Sequence, residues 1–259
     1  RCLLLAPQLD DLHAALDLSY TGLTGISLRA GLNTGQALVM FEAAGDDVPE
    51  LEIDLDVACA IETRNGIQPL IGQPWIEEAV AGRRYRVSAG SFFQVNTAGA
   101  EALVDLVTAY LAPSANDVVL DAYCGVGLFT LALAERVAEV IGVESAASSV
   151  EDLAQNAGDL TQVTVHEGPV EEVLPALIEQ GQRIDLAVMD PPRAGAGEAV
   201  IRDLAALGPR RIVYVSCDPA TLARDGVYLV AAGYRLVEAQ PLDMFPQTYH
   251  IETVSLWAR

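Results

Sequence analysis

The chain reads as an α/β protein, a doubly wound and mostly parallel sheet preceded by a small α+β domain. From residue 97 onward, short apolar runs alternate with segments of helical period, the pattern of strands joined by helical crossovers. Before residue 90 the apolar runs are separated by turn signals instead, such as Ala30-Gly-Leu-Asn-Thr-Gly-Gln36 and Asn65-Gly66, which read as hairpin loops. Length and composition agree, since 259 residues at 51% apolar content suffice for one large core or for two domains. The expected division is 1–90, a small mixed domain with an antiparallel sheet, and 91–259, the large domain.

In order along the chain, residues 7–18 place apolar side chains at 9, 12, 15, 16 and 18 after a proline, consistent with a short helix packed by one face. Strand candidates follow at Ile26–Arg29, Ala37–Phe41, Val57–Glu62, Trp75–Val80 and Tyr85–Ser88. His13 is expected on an exposed helix face and Cys59 in a core. The period changes with a helix over 97–111 that ends before Pro113. Strands then fall at 118–122, 139–144, 163–168, 184–190 and 211–216, and helices at 128–137, 145–158, 170–180, 198–207 and 221–233. Residues 234–243 and 250–258 have no helix between them and predict an antiparallel pair at the sheet edge. That ending departs from dinucleotide-binding folds and suits a nucleoside-cofactor methyl-transfer fold.

Composition excludes several classes. No apolar run reaches the length of a membrane span, and the first residues lack the basic region and cleavage site of a signal peptide. Cysteines at 2, 59, 124 and 217 form no CxxC pair, which removes a structural zinc framework and points to a reducing, cytoplasmic setting. The histidines are too far apart to suggest a metal cluster, so no metal is expected. An Arg at position 1 in place of Met is expected of a mature product, a trimmed chain or part of a longer polypeptide. The formal charge is −21, from 36 acidic residues against 15 Arg and no Lys. Such a balance argues against loose affinity for a polyanion without excluding a nucleic-acid substrate, because net charge does not show where arginines cluster.

Ligands of open α/β sheets bind beyond the carboxyl ends of the strands, and the chemistry-bearing residues of this chain fall there. Asp121-Ala-Tyr-Cys-Gly-Val-Gly127 follows the first strand of the large domain; its glycines permit a tight turn and close approach of backbone to a ligand. It lacks the third glycine of a dinucleotide fingerprint, which favours a cofactor without a pyrophosphate. Glu144 ends the second strand, where a carboxylate either accepts from ribose hydroxyls or favours the start of the next helix through its dipole. Met189-Asp-Pro-Pro-Arg193 ends the fourth strand; Pro191 and Pro192 make a rigid edge suited to walling a flat ring, and Asp190 can hold an ammonium or a base edge. Cys217 stands just past the fifth strand and reads locally either as a small buried hydrophobe or as a nucleophile. Ser91-Phe-Phe-Gln-Val-Asn96 joins the two halves, its aromatics either core or a stacking surface for an extruded base beside the amides of Gln94 and Asn96. Glu252 begins the last strand, either as a solvated edge residue or as a general base.

Taken together, SFFQVN, DAYCGVG with Glu144 downstream, MDPPRAG, VSCDPATLARD and DMFPQTYHIE occur in the order seen in the RNA uracil-C5 methyltransferases, which form 5-methyluridine in 23S ribosomal RNA and in the T-loop of transfer RNA. The resemblance runs over roughly 88–259. It is weaker over 1–87, which looks like the small central domain of the ribosomal branch, so that branch is favoured over the transfer-RNA branch. The resemblance implies a class I S-adenosylmethionine-dependent methyltransferase fold, S-adenosylmethionine as cofactor, RNA as partner, and no membrane or protein partner. It further implies that Cys217 adds to C6 of the target uracil and that Glu252 removes the C5 proton. Gln94, Tyr123, Gly125, Gly127, Leu128, Glu144, Gly168 and Asp190 fall at cofactor positions. Phe92, Gln94, Asp190, Pro191 and Pro192 fall at positions that receive the base.

The chain departs from the family at several points. Leu128 stands where relatives often have Asn, and Gly168 where some have a polar contact to adenine. Asp218 replaces the usual Asn, and beside the sulfur it would raise the thiol pKa unless it turns away to cap the following helix. Arg1-Cys2-Leu-Leu-Leu looks like the neighbourhood of the last of four iron–sulfur cysteines, yet the other three are not in this sequence, so no cluster is expected in this chain. An absent N-terminal RNA-binding barrel would account for the acidic charge. Competing readings are a small-molecule or protein methyltransferase, which would leave Cys217 and Glu252 without a task, and a non-catalytic RNA-binding remnant.

Overall fold

The hairpin signals before residue 90 and the alternation after residue 97 both become sheets in the computed structural model. The structure describes residues 5–16, 22–46, 48 and 56–259, and the chain divides into two units, Arg1–Phe92 and Phe93–Arg259.

In the first unit, helix α1 (Pro7–Ala15) buries Leu12 and precedes β1 (Leu23–Ala30), β2 (Ala37–Ala43), β3 (Ala58–Thr63) and β4 (Gly66–Ile71). These strands pair in the order β1-β2-β3-β4, and β5 (Trp75–Val80) with β6 (Arg83–Ser88) forms a separate two-stranded ladder. Val39, Phe41, Cys59 and Ile61 make the core, so Cys59 fills space and burial pushes its thiol up to about 11. His13 is exposed.

The sequence reading differs from this unit in three places. Helix α1 stops at Ala15, and positions 17 and 18 of the expected helix lie outside the described residues. Strand β4 was not expected, because Pro69 weakens its pattern; a proline is tolerated there because β4 lies at the sheet edge. The sheet is mixed and not antiparallel, since β2 and β3 run parallel with Leu38 opposite Ala58. Turn signals identify hairpins, but the long connection between these two strands carries no local mark of its direction.

Two polar contacts stiffen the first unit. The carboxylate of buried Glu78 accepts from the amides of Leu32, Asn33 and Ala79 at 2.7, 3.0 and 2.8 Å, fixing the turn between β1 and β2. Arg29 donates to the carbonyls of Ser88 and Ser91 at 2.6 and 2.7 Å, just before the aromatic stretch.

The second unit opens with α2 (Thr97–Leu111), capped by Asn96, whose side-chain oxygen accepts from the Gly99 amide at 3.0 Å and whose amide nitrogen donates to the Met244 carbonyl at 3.0 Å. The alternation then yields β7 (Val118–Ala122), α3 (Leu128–Ala134), β8 (Glu139–Glu144), α4 (Ala147–Ala157), β9 (Val163–Glu167), α5 (Val170–Glu179), β10 (Leu186–Met189), α6 (Gly197–Leu207), β11 (Arg211–Ser216) and α7 (Pro219–Ala231). Strands β12 (Arg235–Leu242) and β13 (Glu252–Ala258) close the sheet, in the order β12-β13-β11-β10-β7-β8-β9. All pairs from β11 to β9 are parallel, and β13 lies antiparallel between β11 and β12. The chain builds outward from β7 in one direction with β8 and β9 and in the other with β10 and β11. A crevice therefore opens beyond the carboxyl ends of β7 and β10, where loops leave toward opposite faces. Insertion of β13 brings its first residue, Glu252, to the same rim, with Thr253 opposite Ser216.

One buried carboxylate links the rim to the sheet. Asp225 of α7 is fully buried and accepts from the Tyr214 hydroxyl at 2.8 Å, the Ala196 amide at 2.8 Å, the Gly197 amide at 3.3 Å and Arg224 Nε at 2.8 Å. Gly195 has φ +76°, and a side chain there would press on Asp225 and Arg224. The sequence reading passed over Asp225 because it looks like a solvated helix residue. No helix among the described residues is long and apolar enough to cross a membrane.

Replacing Asp225 by Ala would leave buried donors without an acceptor, at a cost of about 3 kcal/mol or more. The expected outcome is a marked fall in the urea midpoint of Asp225→Ala. Arg202→Ala, which removes only a surface ion pair with Asp203, leaves the midpoint within error of the parent.

Candidate functional site

Six strand ends supply the rim, those of β7, β8, β9, β10, β11 and β13. After β7, Tyr123 takes a left-handed conformation at φ 64° and Gly125 at φ 54°, which lifts the loop away from the strand axis before α3 begins. A Cβ on Gly125 would meet nothing within 4 Å, so the backbone here is bare and open, whereas one on Gly127 would collide with Leu153. The two glycines thus do different work. Gly125 leaves a bare surface, and Gly127 lets α3 approach α4. Leu128 is buried as the first residue of α3.

The Glu144 carboxylate at the end of β8 accepts from the Gly125 amide through Oε2 at 2.9 Å and from the Ser145 and Ala146 amides through Oε1, both at 2.8 Å. It therefore braces the glycine loop and the approach to α4 together. Two lone pairs on each oxygen leave capacity for a further donor. Gly168 follows β9 with φ 152° and donates its amide to the Glu144 carbonyl at 2.9 Å.

At the centre of the rim stand Asp190, Cys217 and Glu252, contributed by β10, β11 and β13. Burial pushes the Asp190 carboxyl up to about 8, and the Glu252 charge adds to the shift. Glu252 is 4% exposed, one of its oxygens has no protein partner, and burial raises it to about 7. The Cys217 thiol is pushed above its ordinary value by burial and then by the charges of Glu252 and Asp190; the Arg193 guanidinium pulls it down. These mutual effects mark one cluster in which a thiol, two carboxyls and one guanidinium act on each other. Gln94 joins it, donating from Nε2 to Asp190 Oδ2 at 3.3 Å. Pro191 is buried and Pro192 exposed.

Asp218 is decided by its cap. It has extended backbone, and its Oδ1 accepts from the amides of Ala220 and Thr221 at 2.8 and 3.2 Å at the start of α7. The carboxylate is spent on the helix, and the charges that raise the thiol come from Glu252 and Asp190.

Beneath the glycine loop, Asp121 is fully buried, with Oδ2 accepting from the Thr130 hydroxyl at 2.6 Å and Oδ1 lacking a protein partner. Burial raises it to about 7 despite that bond. The Tyr123 hydroxyl is likewise buried without a protein partner. Orphaned polar atoms in a native fold call for a ligand or water; Asp121 feels the charges of Asp190 and Glu144 at the rim, whereas Tyr123 packs against the core beneath the sheet and feels Glu171 and Asp225. Asp121 went unassigned in the sequence reading; the acid closing a strand just before a glycine loop was the available signal.

The positions read from sequence thus separate. Cys217, Glu252, Asp190 and Gln94 come together, Gly125 and Glu144 stand beside each other through their hydrogen bond, and Tyr123 packs against the core. Phe92 ends the first unit and is 66% exposed. Cys124 is buried against β8, far from a cluster role, and Cys2 lies outside the described residues. Arg193 and His250, which meet at 2.6 Å between Nη2 and Nδ1, were not assigned roles from sequence. A mostly apolar hollow of about 530 Å³ under α7, lined by Leu222, Val227, Val230, Leu236 and Trp257 among others, contains none of these residues. The site is marked by its chemistry, not by the size of a hollow.

Comparison with known proteins gives a family match and a fold. The family model described as tRNA (uracil-5-)-methyltransferase matches residues 70–259. A protein of Streptomyces avermitilis named an uncharacterised RNA methyltransferase is 38% identical over 98% of this chain and 60% of its own length. The crystal structure of Pyrococcus abyssi tRNA (uracil-54, C5)-methyltransferase in complex with S-adenosyl-L-homocysteine is 30% identical, with a TM-score of 0.77 over 92% of this chain and 60% of that one. Geobacter metallireducens precorrin-6y C5,15-methyltransferase, 13% identical with a TM-score of 0.54 over 68% of this chain and 94% of its own, shares the fold alone. The second unit has the class I methyltransferase fold. The chain spans about half to 60% of the length of the curated relatives it matches.

The raised carboxyls carry a stability signature. Asp190 titrates near 8 when folded, against a usual value of 3.8. Between those values the folded chain holds a proton that the unfolded chain has lost, so stability falls as pH rises through that window. Asp190→Asn removes this loss, and thermal melts should show the variant gaining on the parent at pH 8.5 relative to pH 5. An equal offset at both pH values would contradict the assignment.

Proposed function

The chain belongs to the tRNA (uracil-5-)-methyltransferase family, and on that premise we propose that it methylates C5 of a uridine in RNA with S-adenosylmethionine as methyl donor. The observation that carries this reading is the meeting of Cys217, Asp190 and Glu252 at one rim. A cofactor-binding fold alone has no need of a half-buried thiol flanked by two carboxyls.

The glycine loop and Glu144 fit a nucleoside cofactor. Asp121 Oδ1 is buried and unpartnered, Gly125 presents open backbone, and Glu144 retains lone pairs for ribose hydroxyls. Asp121 is the acid that would meet the cationic end of S-adenosylmethionine. Leu128 and Gly168 would add backbone and apolar contact only. When bound, S-adenosylmethionine supplies the activated methyl group.

The residues of the chain do the rest. Cys217 must lose its proton before it can add to C6 of uracil. A carboxylate titrating near 7 beside it, as Glu252 does, can take that proton at neutral pH. Thiolate addition forms the S–C6 bond and moves the C5–C6 π electrons through C4 onto O4, making C5 an enolate carbon. Asp190, protonated over much of the neutral range, can donate a hydrogen bond to the oxygen that gains charge, with Gln94 holding its carboxyl. After C5 has been methylated, Glu252, having passed the thiol proton on to solvent, removes the C5 proton, the electron pair re-forms C5–C6, and the thiolate leaves. The target base must leave its stack to reach this rim, and Pro191 and Pro192 are the surfaces read as receiving it.

The ribosomal branch is favoured as the source of the RNA by the likeness of the first ninety residues to its central domain. A transfer-RNA T-loop uridine is the second reading, favoured by the likeness to the Pyrococcus abyssi enzyme.

Cys217→Ala should abolish methylation of unmodified RNA while leaving S-adenosylmethionine binding by calorimetry intact; full activity in this variant would refute the reading. Glu252→Gln should lower turnover by about 10²–10⁴ and accumulate a protein–RNA adduct that survives denaturing electrophoresis. With wild type, the rate should rise with pH through about 7 as Glu252 ionises, and a rate that is flat from pH 6 to 8 would exclude it as the base.

A further inference from the structure

The loop between β12 and β13 carries a feature that the reaction above does not use. Tyr249 is 88% exposed, yet its ring lies 4.2 Å from the His250 ring at 37°, and the Phe245 ring meets His250 edge-on at 5.9 Å. The His250 amide is held by the Thr248 hydroxyl at 3.2 Å. His250 Nδ1 meets Arg193 Nη2 at 2.6 Å. A guanidinium only donates, so Nδ1 is the acceptor and the imidazole has no proton on that nitrogen. Three planar side chains are thereby held in series, from the exposed Tyr249 through His250 to the guanidinium whose charge reaches Cys217.

We propose that Tyr249, His250 and Arg193 form a binding step for the ribonucleotide next to the target uridine, with its base stacked on Tyr249 and its phosphate taken by Arg193. This rests on the RNA-methylating reading of the rim. Two physical demands point to it. An RNA strand delivering one base to this site brings phosphates toward Asp190 and Glu252 in a chain of net charge −21, so a cation is needed at the mouth. Arg193 is exposed and commits one nitrogen, Nη2, to His250, leaving the other N–H groups of the fork for phosphate oxygens. A neighbouring base pulled from its stack needs a replacement surface, and a tyrosine already resting on a second ring offers one with little further ordering. The step ends two residues before Glu252, so strand binding there would also fix the segment that carries the base.

The test is binding of a fluorescein-labelled hexauridylate to the full chain, followed by anisotropy, for wild type, Tyr249→Ala, Tyr249→Phe and Arg193→Gln. Base–aromatic stacking predicts that Tyr249→Ala weakens binding by about 5-fold or more while Tyr249→Phe stays within about 2-fold. Arg193→Gln should weaken binding and lower the slope of log K against log salt by about 0.7, the loss of one phosphate contact on a single strand. Unchanged affinity in Tyr249→Ala, or no hexauridylate binding by wild type, would overturn the step. Calorimetry with S-adenosylmethionine separates the two readings. If wild type fails to bind the cofactor while Tyr249→Ala still loses RNA affinity, the methylating function falls and the RNA step stands. If cofactor binding is normal in every variant and the Tyr249 effect is absent, the step alone falls.

Discussion

The rim is held together by the buried carboxylate of Asp225. It binds the Tyr214 hydroxyl of β11, the amides of Ala196 and Gly197 and the Arg224 guanidinium, and Arg224 in turn donates to the Ala194 carbonyl at 2.8 Å. Two segments of the rim come under one constraint as a result. The loop 190–197, which brings Asp190, Pro191, Pro192 and Arg193, cannot shift without breaking donors into a fully buried acid. Helix α7, whose first turn follows Cys217, is fixed to the same acid one and a half turns further on. In an interior where unpaired donors are costly, this arrangement keeps the Cys217 thiol and the Asp190 carboxyl, carried by different strands, in register.

Around that anchor the site is electrostatically poised. Asp121, Asp190 and Glu252 are raised to about 7, 8 and 7 by burial, and neighbouring charges add to the shifts of Asp121 and Asp190. Three carboxyls near their titration points in one crevice are an unstable arrangement for a folded chain above neutral pH. They suit the proposed reaction, in which a cation and a ring with a developing negative oxygen would enter and the same groups could ionise or donate as each step requires. Arg193 is the counterweight. It is the charge that favours the thiolate of Cys217, and His250 holds it where it does so.

Two acids show how capping and chemistry compete for the same residue type. Asp218 follows Cys217 in sequence but gives its oxygen to the first turn of α7. Glu144 also takes backbone amides, yet one of its bonds reaches across to Gly125 of the glycine loop. Asp218 thereby serves the helix alone, and Glu144 couples the ends of two strands at the glycine loop.

Short continuous apolar runs and the 3.6-residue period determined the strands and helices of the second unit, because burial of a strand on both faces and of a helix on one is written locally in the order of side chains. Residues placed just past strand ends, Tyr123, Glu144, Asp190 and Cys217, were legible for the same reason, since a parallel sheet gathers the ends of its strands at one rim. Strand β4 was hidden by Pro69, and the parallel pairing of β2 with β3 by a connection with no turn signal. The function of Asp225, the orphaned oxygen of Asp121 and the contact of Arg193 with His250 were decided only by the tertiary structure. Arg193 and His250 are 57 residues apart, and Tyr214 and Asp225 are 11 apart across a strand and a helix. A hydrogen bond needs two groups within about 3 Å, and that distance is set by how strands and helices stack, not by the spacing of residues along the chain.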